Sequence, residues 1–235
     1  MDFFSTDNDA LIPIAVGLIF AVVIGVAIGS AYKNKKRREA NRLLADKHGW
    51  HYMDEDSSLT NLANSEPFGK GYGRRARGVA RGAHRDHDFV TFGYEYYTES
   101  RDSDGNTDRD YHHFTVSAVN IGAHLPVIRL TPEGFGAKFV KAFGARDLEV
   151  ESHAFNERWR VWTEEDKVAH AILPPDMIAH LLKPEYEDFP LIIENGLLYT
   201  FRDGKQDLSD LYARLDPLVD MLAEVPDFVL DEHRS

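Results

Sequence analysis

From Ala10 to Tyr32 the chain runs 23 residues without a charged side chain, ALIPIAVGLIFAVVIGVAIGSAY. A helix needs about 20 apolar residues to cross the hydrocarbon core of a bilayer. A signal peptide would want a basic leader and a shorter apolar core. The leader here, MDFFSTDND, carries three aspartates and no Lys or Arg. The length therefore predicts a transmembrane helix over 10–32.

The flanks predict its orientation. Lys33, Lys35, Lys36, Arg37 and Arg38 follow the apolar block, and no basic residue precedes it. By the positive-inside rule, residues 1–9 form a short extracytoplasmic tail and the rest of the chain is cytoplasmic. The expected location is the cell membrane, as a single-pass protein. Near anionic headgroups each basic residue contributes about 1 kcal/mol, which makes this run a candidate lipid or partner contact. Gly17, Ala21, Gly25 and Gly29 recur every four residues. Such a small-residue stripe lets two helices approach closely, so a homodimer through this helix is expected.

The chain holds 27 Lys and Arg against 39 Asp and Glu, and no Cys. The net charge of −12 argues against nucleic acid as a partner. Without Cys there are no disulfides, thiolate catalysis, iron–sulfur clusters or Cys-based zinc sites. No cofactor is expected.

After the basic run, residues 33–48 read as a juxtamembrane helix that stops near Gly49. Residues 75–82 read as a weak strand interrupted by glycine. Val90, Phe92, Tyr94 and Tyr96 alternate, and Phe114, Val116 and Ala118 repeat the pattern. Pairing these two runs antiparallel sets Tyr97 opposite Tyr111. Short strands are expected over 127–130, 147–150 and 159–162, and helices over 134–143 and 164–173. A further helix is expected after Pro174-Pro175. Asn195-Gly196 between two β-rich runs is a type I′ hairpin signal. Leu208, Leu211, Leu215, Leu218 and Leu222 give one apolar helix face, with a kink or restart expected at Pro217. Together these patterns predict an α+β fold: one N-terminal transmembrane helix, then a mainly antiparallel sheet domain with packed helices over 49–228. A sub-boundary near 145 and a tail over 229–235 complete the division.

The block Val150-Glu-Ser-His-Ala-Phe-Asn-Glu-Arg-Trp-Arg-Val161, followed by Ala171-Ile-Leu-Pro, Met177, Leu181-Leu182 and Glu194-Asn-Gly-Leu-Leu-Tyr199, resembles a bacterial domain-of-unknown-function family numbered 3137. Residues 67–76 and 131–134 are similar to its membrane-anchored actinobacterial members. The resemblance covers roughly 45–228. It implies no activity and transfers no catalytic residue.

Several groupings invite chemistry. Gly69-Lys-Gly-Tyr-Gly73 before Arg74 and Arg75 offers a glycine-rich anion nest. It lacks the strand–loop–helix setting of a phosphate loop. Lys70, Arg74, Arg75, Arg77, Arg81 and Arg85 are six cations in an acidic region. Read as one regular strand, Arg75, Arg77 and Arg81 share a face, a second candidate contact for lipid or an acidic partner. Asp102, Asp104 and Asn106 match the first oxygens of a calcium loop, but Thr107 and His113 break the pattern. The histidines do not converge: the expected pairing separates His87 from His112 by roughly 30 Å at about 3.3 Å per residue. The expected function is therefore a non-enzymatic, membrane-anchored cytoplasmic module that binds a protein partner or the inner leaflet. The alternative is an enzyme on a membrane-proximal substrate. A deep pocket with converging polar groups would favour the enzyme.

Overall fold

The computed structural model describes residues 8–103, 105–133, 135, 146–186 and 189–234, with the side chains of 8–20, 23, 146, 147 and 185 outside the description. Two compact units emerge, 1–43 and 44–235.

The described residues of the first unit, 8–43, lie within α1, Asn8–His48. The transmembrane helix expected over 10–32 is not borne out: among the described residues, no helix is long and apolar enough to cross a membrane.

The second unit begins with the last turn of α1. Gly49, at φ +70°, ends the helix where Gly was expected to stop it. Trp50 N donates to Ala45 O at 2.9 Å, closing the C-terminal cap. Among the described residues, nine strands form one antiparallel sheet in the order β1-β2-β3-β4-β9-β8-β5-β7-β6. The strands are β1 (His51–Glu55), β2 (Tyr72–His84), β3 (His87–Arg101), β4 (Thr107–Asn120), β5 (Ile128–Pro132), β6 (Arg146–Asp147), β7 (Trp159–Thr163), β8 (Leu191–Glu194) and β9 (Leu197–Asp203). Because β5 pairs with both β7 and β8, the sheet is continuous across residue 145. The helix expected over 134–143 lies outside the described residues but for Phe135.

The alternation read from the sequence sorts side chains between two cores. On one face, Phe89, Val119, Leu198, Ile193 and Leu130 meet the helices. These are α2 (His153–Arg158), α3 (Asp166–Ile172), α4 (Pro175–Leu181), α5 (Leu211–Glu224) and α6 (Asp227–Glu232). The other face holds Phe92, Tyr94, Val116, Tyr199 and Phe201. A 3-10 turn at Ser57–Asn61 and the segment through Phe68 cover it. Helix α5 runs through Pro217 without a break, contrary to the expected restart. Leu211, Leu215, Leu218, Met221 and Leu222 are all buried along it. Burial of about 1.5–3 kcal/mol per side chain outweighs the roughly 3 kcal/mol that an interior proline costs.

Asn195 and Gly196, at φ +54° and +74°, make the type I′ turn that their sequence announced. The β2–β3 turn was not announced. Arg85 and Asp86 hold φ +49° and +68° there, although neither is glycine. Arg85 donates to Asp220 at 2.6 Å, which anchors the strained turn to α5. A left-handed residue other than glycine costs about 1–2 kcal/mol. Asp86→Gly is therefore expected to raise stability by about 1 kcal/mol, read as a higher urea midpoint at unchanged slope.

Candidate functional site

The three arginines expected on one face are divided. Two β-bulges interrupt β2, between Tyr72 and Arg75 and between Arg77 and Ala80. Gly78 takes φ +62° at the second. One extra residue in a strand reverses the facing of everything beyond it. Arg75 and Arg77 thus stand opposite Glu95 and Gly93, whereas Arg81 stands opposite Val90, on the other face. Each arginine also has a carboxylate. Arg77 reaches Glu95 at 3.2 Å and Glu55 at 3.5 Å, Arg75 lies 4.0 Å from Glu55, and Arg81 donates to Asp56 at 2.7 Å. The six-cation cluster is largely neutralised within the domain.

Asp56 accepts hydrogen bonds from Ser58 and from Arg81, which hold its carboxyl at about 2 against an ordinary 3.8. A carboxylate depressed in this way stabilises the fold above its unfolded pKa, and the contribution is lost as pH falls through the folded value. Between about pH 4 and pH 2 the urea midpoint of the wild type is expected to fall more steeply than that of Asp56→Asn, measured by denaturation at each pH.

Arg81 also borders a groove of about 560 Å³. Val90, Ala118 and Leu197 supply its apolar lining, and His51, Asp88 and Asn120 its polar lining.

The glycine-rich segment serves a purpose other than an anion nest. Gly71 and Gly73 adopt φ +60° and +61°. A Cβ on Gly71 would strike the Tyr96 ring and sit 2.5 Å from the Tyr97 carbonyl oxygen; one on Gly73 would sit 2.5 Å from the Tyr97 ring. The glycines make room for aromatic rings. Arg74 turns back onto the segment, donating to the carbonyls of Lys70 and Gly69 at 3.0 Å each.

The consequence is a tyrosine ladder across three strands. Tyr72 pairs with Tyr97, and Tyr97 with Tyr111 as the alternation required. Ring centroids are 6.0 and 5.6 Å apart. Tyr72 and Tyr111 are 63% and 59% exposed. The Arg109 guanidinium lies 4.5 Å from the Tyr97 centroid and donates to Glu99 at 3.0 Å. Beyond the ladder β3 and β4 continue as a two-stranded arm, because β2 pairing ends at Tyr97 and β9 pairing at Phe114.

The remaining groupings are structural. Glu194 is buried and accepts from Asn64 N at 2.8 Å and Ser65 N at 3.0 Å. Tyr199 OH donates to Glu66 O at 3.1 Å, and burial pushes its hydroxyl well up. Burial also raises Glu66, which Lys70 pairs. These groups tie the segment through Phe68 to the sheet. Asp102 spends its oxygens on Asn106, at 2.8 and 3.0 Å. Asp104 of the calcium-like loop lies outside the described residues. Among the described residues no group of three metal-ligating side chains assembles.

In the first unit Lys33, Lys35, Lys36 and Arg38 are exposed, while Arg37 is half-buried and donates to Asn34 at 3.0 Å. Ala21, Gly25 and Gly29 are also exposed, and Gly17 is among the residues whose side chains are not described.

No family model and no curated protein matches the chain. Among solved structures, that of the mycobacterial trehalose monomycolate transport factor A, TtfA, has a similar fold. The match has a TM-score of 0.55 at 14% identity and covers 80% of this chain and 96% of that one. At this identity the likeness is one of fold.

Proposed function

We propose that the chain is a membrane-associated, non-enzymatic factor of a transport process that works by holding a protein partner. The observation that carries this reading is the shared fold with a transport factor, matched over 96% of that chain. The polar groups agree with it. Glu194 is committed to backbone N–H groups, Glu66 to Lys70, and Arg81 to Asp56. They hold the scaffold together rather than converge on a substrate.

On this reading Lys33, Lys35, Lys36, Arg37 and Arg38 favour an anionic membrane surface, at about 1 kcal/mol per basic residue. The absence of cysteine accords with a domain acting on the cytoplasmic side. Kinship with the family numbered 3137, supported by the block over 150–161, belongs to the same proposal.

The test uses the full chain in its native cells, with a photo-crosslinking residue in place of Tyr111. The expected result is co-sedimentation with membranes and an adduct whose second component is a membrane transport protein. A chain that stays wholly in the supernatant and forms no adduct overturns the reading.

A further inference from the structure

We propose that the pocket between α3 and α6 holds an aromatic side chain of a basic, membrane-flanking segment of a protein partner. The inference rests on the reading of the chain as a factor that holds a membrane transport protein, and names the surface and the chemistry it receives.

The pocket follows from how α6 is seated. Val229 of α6 and Val168 of α3, 2% and 6% exposed, belong to one core. Successive helix positions lie about 100° apart. Phe228 is therefore turned away from that core and stays 60% exposed. Between the helices lies a pocket of about 310 Å³, with Val168, Ala171, Phe228 and Val229 as its apolar lining. Pockets that take whole ligands run from about 300 to 1,000 Å³. One at the lower end suits a single large side chain. Aromatic anchors in such pockets carry much of the binding energy where proteins meet.

Charge selects the occupant. Glu165 and Glu232 line the same pocket. Glu164, Asp166 and Asp227 are exposed on the same two helical segments. Among the described residues none of these five carboxylates has an ion-pair partner. Asp231 is answered by Arg234 at 2.8 Å. Lys167, also in the lining, is the cation set against the five. Each helix is only about 10 Å long, so the charges act on the pocket across about one Debye length, about 8 Å. Such a face repels an anionic membrane, and a second copy would bring the same charge.

A membrane protein supplies the complement. Its cytoplasmic segments carry an excess of Lys and Arg within about 15–20 residues of the spans, and Trp and Tyr gather at the membrane interface. A segment of this kind offers cations to the carboxylates and a ring to the apolar walls.

The experiment titrates the full chain with labelled hexalysine peptides carrying a central tryptophan or a central alanine, and reads fluorescence anisotropy at low and at physiological ionic strength. Wild type is expected to bind the tryptophan peptide about fivefold to thirtyfold more tightly, as burial of one ring implies. Both peptides are expected to bind more weakly as salt rises. Phe228→Ser removes an apolar wall and Ala171→Leu fills the space, and each is expected to abolish most of the preference. Should Ala171→Leu melt early, Phe228→Ser decides alone, because Phe228 lies outside the core. Glu165→Gln/Glu232→Gln is expected to weaken both peptides and keep the preference. Glu165 makes no side-chain capping bond to α3, so the change removes no cap. Equal affinity of wild type for the two peptides overturns the inference. So does a preference that survives the pocket variants, or a glutamine variant that binds as tightly as wild type. If the preference is missing while the chain still cross-links a membrane transport protein, this surface alone is refuted. If the preference is present but the chain neither sediments with membranes nor forms an adduct, the transport reading is refuted instead.

Discussion

Gly71→Ala is expected to destabilise the domain by about 2–5 kcal/mol. The left-handed backbone contributes about 1–2 kcal/mol for any L-residue with a Cβ. Overpacking contributes about 1–3 kcal/mol more. The collision is severe because one of the atoms struck is the Tyr97 carbonyl oxygen, at 2.5 Å, which cannot swing aside like a side chain. Gly69→Ala is the control. Gly69 also has a positive φ, +75°, but its Cβ would meet only the Asn64 carbonyl, at 3.7 Å. It should show the backbone cost of about 1–2 kcal/mol alone. Urea denaturation of the two variants checks the difference. If they are equal, Gly71 serves backbone conformation only and does not seat the tyrosine rings.

Arg214→Ala is expected to cost about 3 kcal/mol. Arg214 is 1% exposed, in the interface between α5 and the sheet. Its Nε donates to Ser117 Oγ at 3.1 Å, one terminal nitrogen to Asp207 O at 3.0 Å and the other to Asp210. Ser117 in turn meets Thr91 Oγ1 at 3.0 Å, and Gln206 reaches Thr91 at 3.4 Å. Burial lowers the guanidinium's pKa, and Asp210 opposes that shift. Removing one partner of a buried charged pair costs about 3–5 kcal/mol. The lower end applies because Asp210 stays 38% exposed and recovers water. Arg214→Met, which keeps the stem's volume, should cost less than Arg214→Ala. The reverse order would place the stabilisation in the hydrogen bonds rather than in the filled space.

Much of the sheet was legible in the chain. Val90, Phe92, Tyr94 and Tyr96 alternate because a strand alternates its faces, and one core lies under that face. Tyr97 opposite Tyr111 followed from aligning two such runs. Asn195-Gly196 announced its turn because few other residues tolerate two left-handed positions in succession. The leucines of α5 showed their face by spacing. In each case the information is local: a period, or a residue with unusual backbone freedom.

Other features depended on contacts distant in sequence. Arg75, Arg77 and Arg81 read as one face because a regular strand was assumed. The bulge at Gly78 divides them, and a bulge is visible only against the partner strand. Gly71 and Gly73 looked like an anion nest because the rings they accommodate lie some 25 residues away in β3. Arg85-Asp86 carries no turn signal; its strain is met by Asp220 on a helix more than 130 residues later. Pro217 predicted a kink or restart, and α5, packed on the sheet, runs through it without restarting. The sequence by itself determined the long strands β3, β4 and β9 and the helices α3, α4 and α5, though not β1, α2 or α6 in the expected tail; it also determined where glycine ends α1 and which side chains are apolar enough to enter a core. The facing of the arginines, the row of exposed tyrosines and the buried Arg214 network were decided only by tertiary structure, because register, bulges and desolvation are properties of pairs of segments and are absent from either segment alone.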